Sequence, residues 1–355
     1  MATSVVSTAK ALEAQAPVQT QKAPPVVYPT GYKRLLWPAY ERYLAHSRRP
    51  ILVGPFRGEV GFEALYWLPF LRAFRERYQI DPARLIPITR GGAGYWYDVP
   101  KALELYDMRD PRDVRVENRM QSRQTGFMKQ IHRNAFDRAV LADAAETLGL
   151  GRSYDVLDAG WMYQVLHPFF NQRRGIQYAL DHCDFRPLAP PQIGGLTLPE
   201  SFVAVKFYFR ATFPANPLCG QFARETIKQI ATERPVLILN GGGTLDDHLD
   251  YLPKDRENVT VLSDVVPMTP QNNLAVQSAV LGKASAFVGT YGGMQQLALR
   301  MGVPSIGVYT DWHSTAVAHR HLADYLALGT NTASHAVRVP DLPMVQALLP
   351  RVAIT

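Results

Sequence analysis

Residues 286–309 most constrain what this chain can fold into. Ala286-Phe287-Val288 is a short apolar run of the kind that forms a buried parallel strand. It meets the turn Gly289-Thr290-Tyr291-Gly292-Gly293. A helix follows, with Leu297, Ala298 and Met301 on its apolar face. Gly302 fits the position just past a helix end, and Pro304 stops the helix before a second strand, Ser305 to Tyr309. Thr290 is the expected cap. Gly292 and Gly293 let a ligand approach the backbone. The N–H groups at the helix start, at the positive end of its dipole, suit an anion such as a diphosphate. The same pattern serves as a plain βαβ connection, so alone it fixes architecture rather than chemistry.

The flanking chain alternates in the same way. Ser201 to Arg210 starts as a buried strand and sets Lys206 and Arg210 on one side of an extended chain. Gln221 to Thr232 reads as a helix, and Pro235 to Asn240 and Asn258 to Leu262 as strands. Thr269 is the expected cap of a helix with Pro270 at its first position, ending at Gly282. In the first half, Pro50 to Gly54, Arg84 to Thr89 and Tyr154 to Asp158 read as strands. Ala64 to Tyr78, Phe136 to Leu150 and Phe169 to Leu180 read as helices, with Pro69 kinking the first or shortening its first turn.

Such alternation calls for a doubly wound parallel sheet. The expectation is an α/β chain with two Rossmann-like domains facing a cleft. Residues 1–27 read as a disordered leader, 28–185 as one domain and 200–330 as the other. Residues 186–199, in a proline- and glycine-rich stretch, read as the linker, and 331–355 as a tail packing back.

The length, 355 residues, suffices for two domains, and 47% hydrophobic with 19% charged residues is a globular balance. No apolar run reaches the roughly 18 residues that span a bilayer. Met1 to Pro25 lacks the apolar stretch of a signal peptide. Cys183 and Cys219 are the only cysteines and lack metal-ligand spacing; buried free thiols in a reducing cytoplasm are expected. The net charge of +7 suits a phosphorylated substrate or an anionic membrane surface. Arg109 to Arg138 is densest in cations, but acids interrupt it, which reads as a solvated helical face. Without zinc-finger spacing, an RNA-binding aromatic signature or a zipper, no nucleic acid is expected.

Between the first strand and helix lies Pro55-Phe56-Arg57-Gly58-Glu59-Val60-Gly61-Phe62-Glu63. Its glycines do not form the dinucleotide fingerprint, and no Gly-Lys-Ser/Thr ends it. It is still a junction at the carboxyl end of a strand, where open α/β sheets place ligands. Glu59 or Glu63 can serve there as a general base, or merely complement the helix dipole. The second glycine-rich turn, Arg90 to Tyr97, carries Tyr95 and Trp96, whose faces suit sugar rings or bases. His132, His167, His248, His313, His319 and His321 each read as structural, with His313 the nearest to the ligand end of the sheet.

On these motifs the chain resembles the GT-B glycosyltransferases, and within them the family 9-like lipopolysaccharide heptosyltransferases. In that family a Gly-Asp turn precedes a helix with a proline six residues after the Asp. Here Glu63 stands six residues before Pro69, while the Gly-acid pair occurs as Gly58-Glu59, so both glutamates are candidate bases. The family's Val-Asp-Thr-Gly turn and Gly-Val-Pro ending are matched by Val288, Thr290 and Gly302-Val303-Pro304. The Asp is replaced by Gly289, the family's His has no counterpart, and two extra residues precede Gly302. Those departures argue against ADP-heptose as the donor.

The resemblance implies inverting, metal-independent sugar transfer without a cofactor, from a nucleotide-sugar donor to a glycan or lipid-linked acceptor. The cysteine usage points to the cytoplasm, and the basic charge would suit peripheral binding at the inner membrane face to a lipid-linked acceptor, with a soluble acceptor equally allowed. Lys206 and Arg210 would neutralise the diphosphate. Tyr291, Gly292 and Gly293 would add backbone N–H groups. Asn240, Gly241, Gly242, Asp264, Thr290 and Gln295 would complete the donor side. Arg57, Arg90, Tyr95 and Trp96 would bind the acceptor. No metal ligand is expected, and Asp246-Asp247 reads as a cap or solvated pair. Two other classes compete: a sulfotransferase-like enzyme using Gly54 to Phe62 as a phosphate loop, and a non-catalytic binding protein on a degenerate transferase fold.

Overall fold

The computed structural model describes residues 32–125, 130–241, 248–254, 257–310 and 316–339. Expectations placed on residues 1–27, Lys129, Gly242, Asp246, Asp247, Asp311 to His313 and 340–355 lie outside the described residues.

The first half opens with helix α1 (Tyr32–His46) and strand β1 (Ile51–Val53). Then come α2 (Val60–Phe62), a π-helical turn (Glu63–Trp67) and α3 (Leu68–Tyr78). Strands β2 (Leu85–Thr89) and β3 (Leu103–Glu104) precede α4 (Leu105–Met108), α5 (Pro111–Thr125) and α6 (Ala135–Thr147). Strand β4 (Asp155–Leu157), α7 (Ala159–Phe170) and α8 (Ile176–Leu180) complete it. The sheet is parallel, in the order β3-β2-β1-β4. Ile51 and Val53 enter one apolar core and Leu52 another, so helices cover both faces of β1.

The second half runs β5 (Val203–Lys206), β6 (Tyr208–Phe209), α9 (Pro217–Glu233), β7 (Val236–Ile238), β8 (Leu249–Asp250) and β9 (Val259–Val261). Next are α10 (Leu262–Val265), α11 (Asn273–Leu281), β10 (Ala286–Thr290), α12 (Gly293–Arg300), β11 (Ser305–Tyr309), α13 (Ala316–Thr330) and β12 (Ser334–Arg338). Six strands form a parallel sheet in the order β12-β11-β10-β5-β7-β9, while β6 and β8 pair antiparallel as a separate two-stranded sheet. The expected pair of doubly wound parallel sheets is present.

Several local expectations are corrected. Pro69 falls at the second residue of α3, and the π-turn before it absorbs the missing N–H by widening the backbone ahead of the ring. The single helix expected at 169–180 is two, α7 and α8, separated by Asn171 to Gly175 with Gln172 at φ 60°. Helix α7 is buried over nearly its whole length, so it lacks the polar face that makes a helix legible. The helix expected from Pro270 starts at Asn273 instead. Thr269 takes part in a preceding turn, donating its N–H to Asn272 Oδ1 at 2.7 Å. The strand expected through Arg210 breaks at Phe207. Strand β12 pairs with β11, so part of the expected tail belongs to the second sheet.

Residues 183–199 contain no regular element, but they are tied down. Asp184 donates its N–H to Pro69 O (2.9 Å) and Leu188 to Arg300 O (2.7 Å). Arg300 donates to the carbonyls of Phe185 and Arg186, and Arg72 of α3 reaches the Arg186 carbonyl at 2.7 Å. One apolar core runs through both halves, from Trp67 and Phe70 to Met294, Leu297 and Leu322.

Candidate active site between the two halves

Strand β1 delivers the chain into the turn that ends at Glu59. Glu59 precedes α2 in extended conformation (φ −76°, ψ 143°) and makes no side-chain capping bond. Its carboxylate turns to the other half, where Arg210 Nη2 lies 3.5 Å from Oε1. The two side chains are 34% and 37% exposed. Arg210 follows β6, which Thr290 pins to β10. The Thr290 hydroxyl accepts from Tyr208 N–H and donates to Tyr208 O, both at 3.0 Å.

The glycine turn lies directly beside this pair. Gly292 has φ 153°, and the Tyr208 hydroxyl occupies the space a Cβ would need. A Cβ on Gly293 would lie 3.0 Å from both Gly61 N and Val60 Cβ. Helices α2 and α12 therefore begin against one another, and their N-terminal, electropositive ends flank the Glu59–Arg210 pair.

Glu63, one turn on, is fully buried. Its carboxylate accepts from Thr89 Oγ1 (2.8 Å), Arg90 Nη1 (2.9 Å) and Tyr97 OH (2.6 Å). Arg90 also donates to Gly58 O, so this network braces the back of the Glu59 turn. Burial and the Glu63 charge push the Tyr97 phenol far above its ordinary range, which keeps it a donor. Glu63 is thereby held in a buried network of the first half, while Glu59 faces the second half.

The acceptor-side expectation is corrected for the same reason. Arg57 is wholly buried, donating to Asp137 Oδ1 (2.8 Å) and Asn118 Oδ1 (2.6 Å). Trp96 is 1% exposed and donates its Nε1–H to the Tyr95 hydroxyl at 2.6 Å. Arg57, Arg90 and Trp96 are thus buried in the first half, while half-buried Tyr95 reaches Ser278 of the second half.

On the donor side the residues divide. Lys206 is 6% exposed, and its Nζ donates to Leu239 O (2.9 Å), Gln277 Oε1 (3.0 Å) and Asp250 Oδ2 (3.2 Å). Asn240 exchanges bonds with Ser263, Nδ2 to Oγ (2.7 Å) and Ser263 N–H to Oδ1 (3.0 Å), tying β7 to α10. Gln295 Nε2 donates to His335 O at 2.8 Å, beneath β12. Tyr291 is buried against Tyr309. Gly241 is half-buried and Asp264 exposed. Glu59, Arg210, Gly292 and Gly293 are the expected residues brought together.

Two histidines join them. His248 stacks on Tyr208 (ring centroids 4.5 Å) with Nε2 3.6 Å from Asp250 Oδ1. His319, from α13, puts Nδ1 2.6 Å from the Tyr66 hydroxyl and packs its ring against Phe62. Burial lowers its pKa to about 4, with the Glu59 charge acting in the opposite direction. No spacing in the sequence marks His319, because its neighbours come from the other half. Among the described residues no three His, Cys, Asp or Glu side chains cluster as a metal site, and no helix is long and apolar enough to cross a membrane.

No protein-family model matches the chain. No match was found among curated protein sequences. Several solved structures are similar at low identity, among them three glycosyltransferases. The dodecameric iron-containing glycosyltransferase TibC from enterotoxigenic E. coli H10407 is 14% identical, with 74% of this chain and 58% of that one covered (TM-score 0.40). This chain thus spans less than two thirds of the length of TibC. A family 9 glycosyl transferase from Veillonella parvula DSM 2008 is 12% identical, with 86% and 90% covered (TM-score 0.42). E. coli heptosyltransferase WaaC with ADP is 13% identical, with 86% and 99% covered (TM-score 0.42).

Proposed function

We propose that this protein transfers a sugar from a nucleotide-sugar donor to a hydroxyl acceptor, with Glu59 as base and Arg210 as the cation for the donor diphosphate. The Glu59–Arg210 pair carries the reading, because a carboxylate and a cation meet where two helix starts converge between two parallel sheets.

In this reading Glu59 takes the acceptor hydroxyl proton as that oxygen attacks the anomeric carbon. The bond from that carbon to the diphosphate oxygen breaks, and its electron pair leaves with the diphosphate. Arg210 and the first N–H groups of α12 stabilise the charge that develops there. Attack opposite the leaving group inverts the anomeric centre. A fixed cation and a helix start supply the stabilisation a metal ion gives elsewhere, so the reaction is metal-independent. A glycan or lipid-linked hydroxyl is the acceptor class proposed, and the +7 charge suits peripheral contact with an anionic membrane at its cytoplasmic face.

The test is thermal denaturation of the purified protein with UDP, GDP, ADP, CMP or 3′,5′-ADP, with and without EDTA. One nucleoside diphosphate should raise the melting temperature regardless of EDTA. Arg210→Ala should abolish that rise, and Glu59→Gln should retain it while losing sugar transfer. A rise with 3′,5′-ADP alone points instead to sulfuryl transfer, and no rise with any nucleotide overturns a nucleotide site.

A further inference from the structure

Glu59, Phe62 and Tyr66 follow one another along the first turns of the helix that opens the site. His319 of α13 inserts against the latter two: ring centroids lie 4.8 Å from Phe62, at 84°, and 5.3 Å from Tyr66. Phe170 of α7 lies 6.2 Å away on a further side. All three aromatic rings belong to the first half and the imidazole to the second. One side chain therefore bridges the halves beside the proposed base.

The Tyr66 hydroxyl lies 2.6 Å from Nδ1, and burial drives its phenol well above its ordinary range, so it keeps its proton and can donate to that nitrogen. A neutral imidazole that accepts at Nδ1 is protonated at Nε2. The ring stays neutral at pH 7, its pKa lowered to about 4 by burial, and among the described residues the Glu59 charge acts against that lowering. Among the described residues, Nε2 makes no hydrogen bond.

We infer that His319 is a positioning residue for Glu59, its Nε2–H receiving the carboxylate when a donor diphosphate draws Arg210 away. The inference rests on the transferase reading above. In the structure Arg210 pairs with Glu59, and a cation beside a carboxylate weakens it as a base. A diphosphate competes for Arg210. The released carboxylate then passes to a neutral donor, which orients it while leaving its charge intact. The donor substrate would thus switch on the base, and Tyr66 would act through His319 by fixing the tautomer.

Two experiments test this. The first needs no substrate: nitrogen-15 NMR of histidine-labelled protein between pH 3 and 8.5, a range that spans the His319 titration at about 4. His319 should appear as the neutral Nε2–H form from pH 5.5 upward. Tyr66→Phe should mix the tautomers, and Glu59→Gln should move the His319 titration further down. A His319 protonated at Nδ1, or unmoved by Glu59→Gln, overturns the inference and leaves the transferase reading standing. The second uses the sugar nucleotide of whichever diphosphate gives the largest thermal shift. His319→Ala should lower kcat about tenfold and displace the acidic limb of its pH profile, with donor KM unchanged. His319→Gln, whose amide can replace the Nε2–H donor, should restore most of the rate. A rate loss that merely follows the unfolded fraction, or His319→Gln no better than His319→Ala, overturns the inference. Absence of sugar transfer by the unaltered protein overturns the transferase reading, and the NMR arm separates that failure from this one.

Discussion

Glu59 and Glu63 stand one turn apart on the same helix start, and their surroundings give them opposite parts. Glu63 Oε1 and Oε2 are occupied by three donors from its own half, and the side chain is fully buried. Glu59 makes no capping bond within its own turn, and its ion pair comes from the other half at 3.5 Å. A carboxylate saturated by a fixed network holds a fold together. One that faces a solvent-touched cation across a cleft is the one the transferase reading assigns to the substrate.

The sharpest way to break this comparison is to remove each carboxylate in turn. Glu59→Gln should lower sugar transfer by about 10²- to 10⁴-fold, the usual worth of a general base, with the melting temperature unchanged. Glu63→Ala should instead destabilise the fold by about 3–5 kcal/mol, since it strands the buried Arg90 charge. Steady-state kinetics and chemical denaturation of the two variants decide. Equal stability losses would erase the distinction.

Next in size is the junction of the helix starts. Gly293→Ala puts a methyl group 3.0 Å from Gly61 N and Val60 Cβ, and should cost about 1–3 kcal/mol by forcing α2 and α12 apart. Nucleotide affinity should fall with it, as titration calorimetry would read.

The pH dependence divides the two halves similarly. His319 has a folded pKa of about 4 against an ordinary 6.5, so the unfolded chain binds more protons between those values. Its contribution is complete above pH 6.5 and is lost as pH falls toward 4. Glu104 goes the other way. Burial raises it from 4.5 to about 7, so its contribution is complete below pH 4.5 and fades as pH rises through 7. Denaturation midpoints of His319→Gln and Glu104→Gln, each subtracted from the parent across pH 4 to 8, should give slopes of opposite sign.

Arg210→Ala is the smallest effect on stability, below about 1 kcal/mol, because its ion pair is exposed to solvent. The same variant should lose the diphosphate-induced thermal shift. A large stability loss there would make Arg210 a structural residue like Arg90.

How far the sequence could be read follows from where each partner lies. The unit from Ala286 to Tyr309 was legible because its signals are local: an apolar strand, glycines at the turn, and Gly302 at φ 75° just past the helix. Helix α7 was not, because burial on all sides leaves no periodicity. Lys206 and Arg210 looked alike in an extended segment, and only the fold shows Lys206 buried against Leu239, Gln277 and Asp250 while Arg210 faces Glu59.

Local patterning by itself determined the alternating α/β architecture, the two parallel sheets and the glycine turn, since strand and helix periods and turn residues act over a few neighbours. The tertiary structure decided which glutamate is buried in a network, which cation faces the other, and that His319 stands near them. Those placements depend on residues far apart in the chain, such as Tyr66 and His319, 253 positions apart. Hydrogen bonding and burial act through space, and only folding brings such groups within their range.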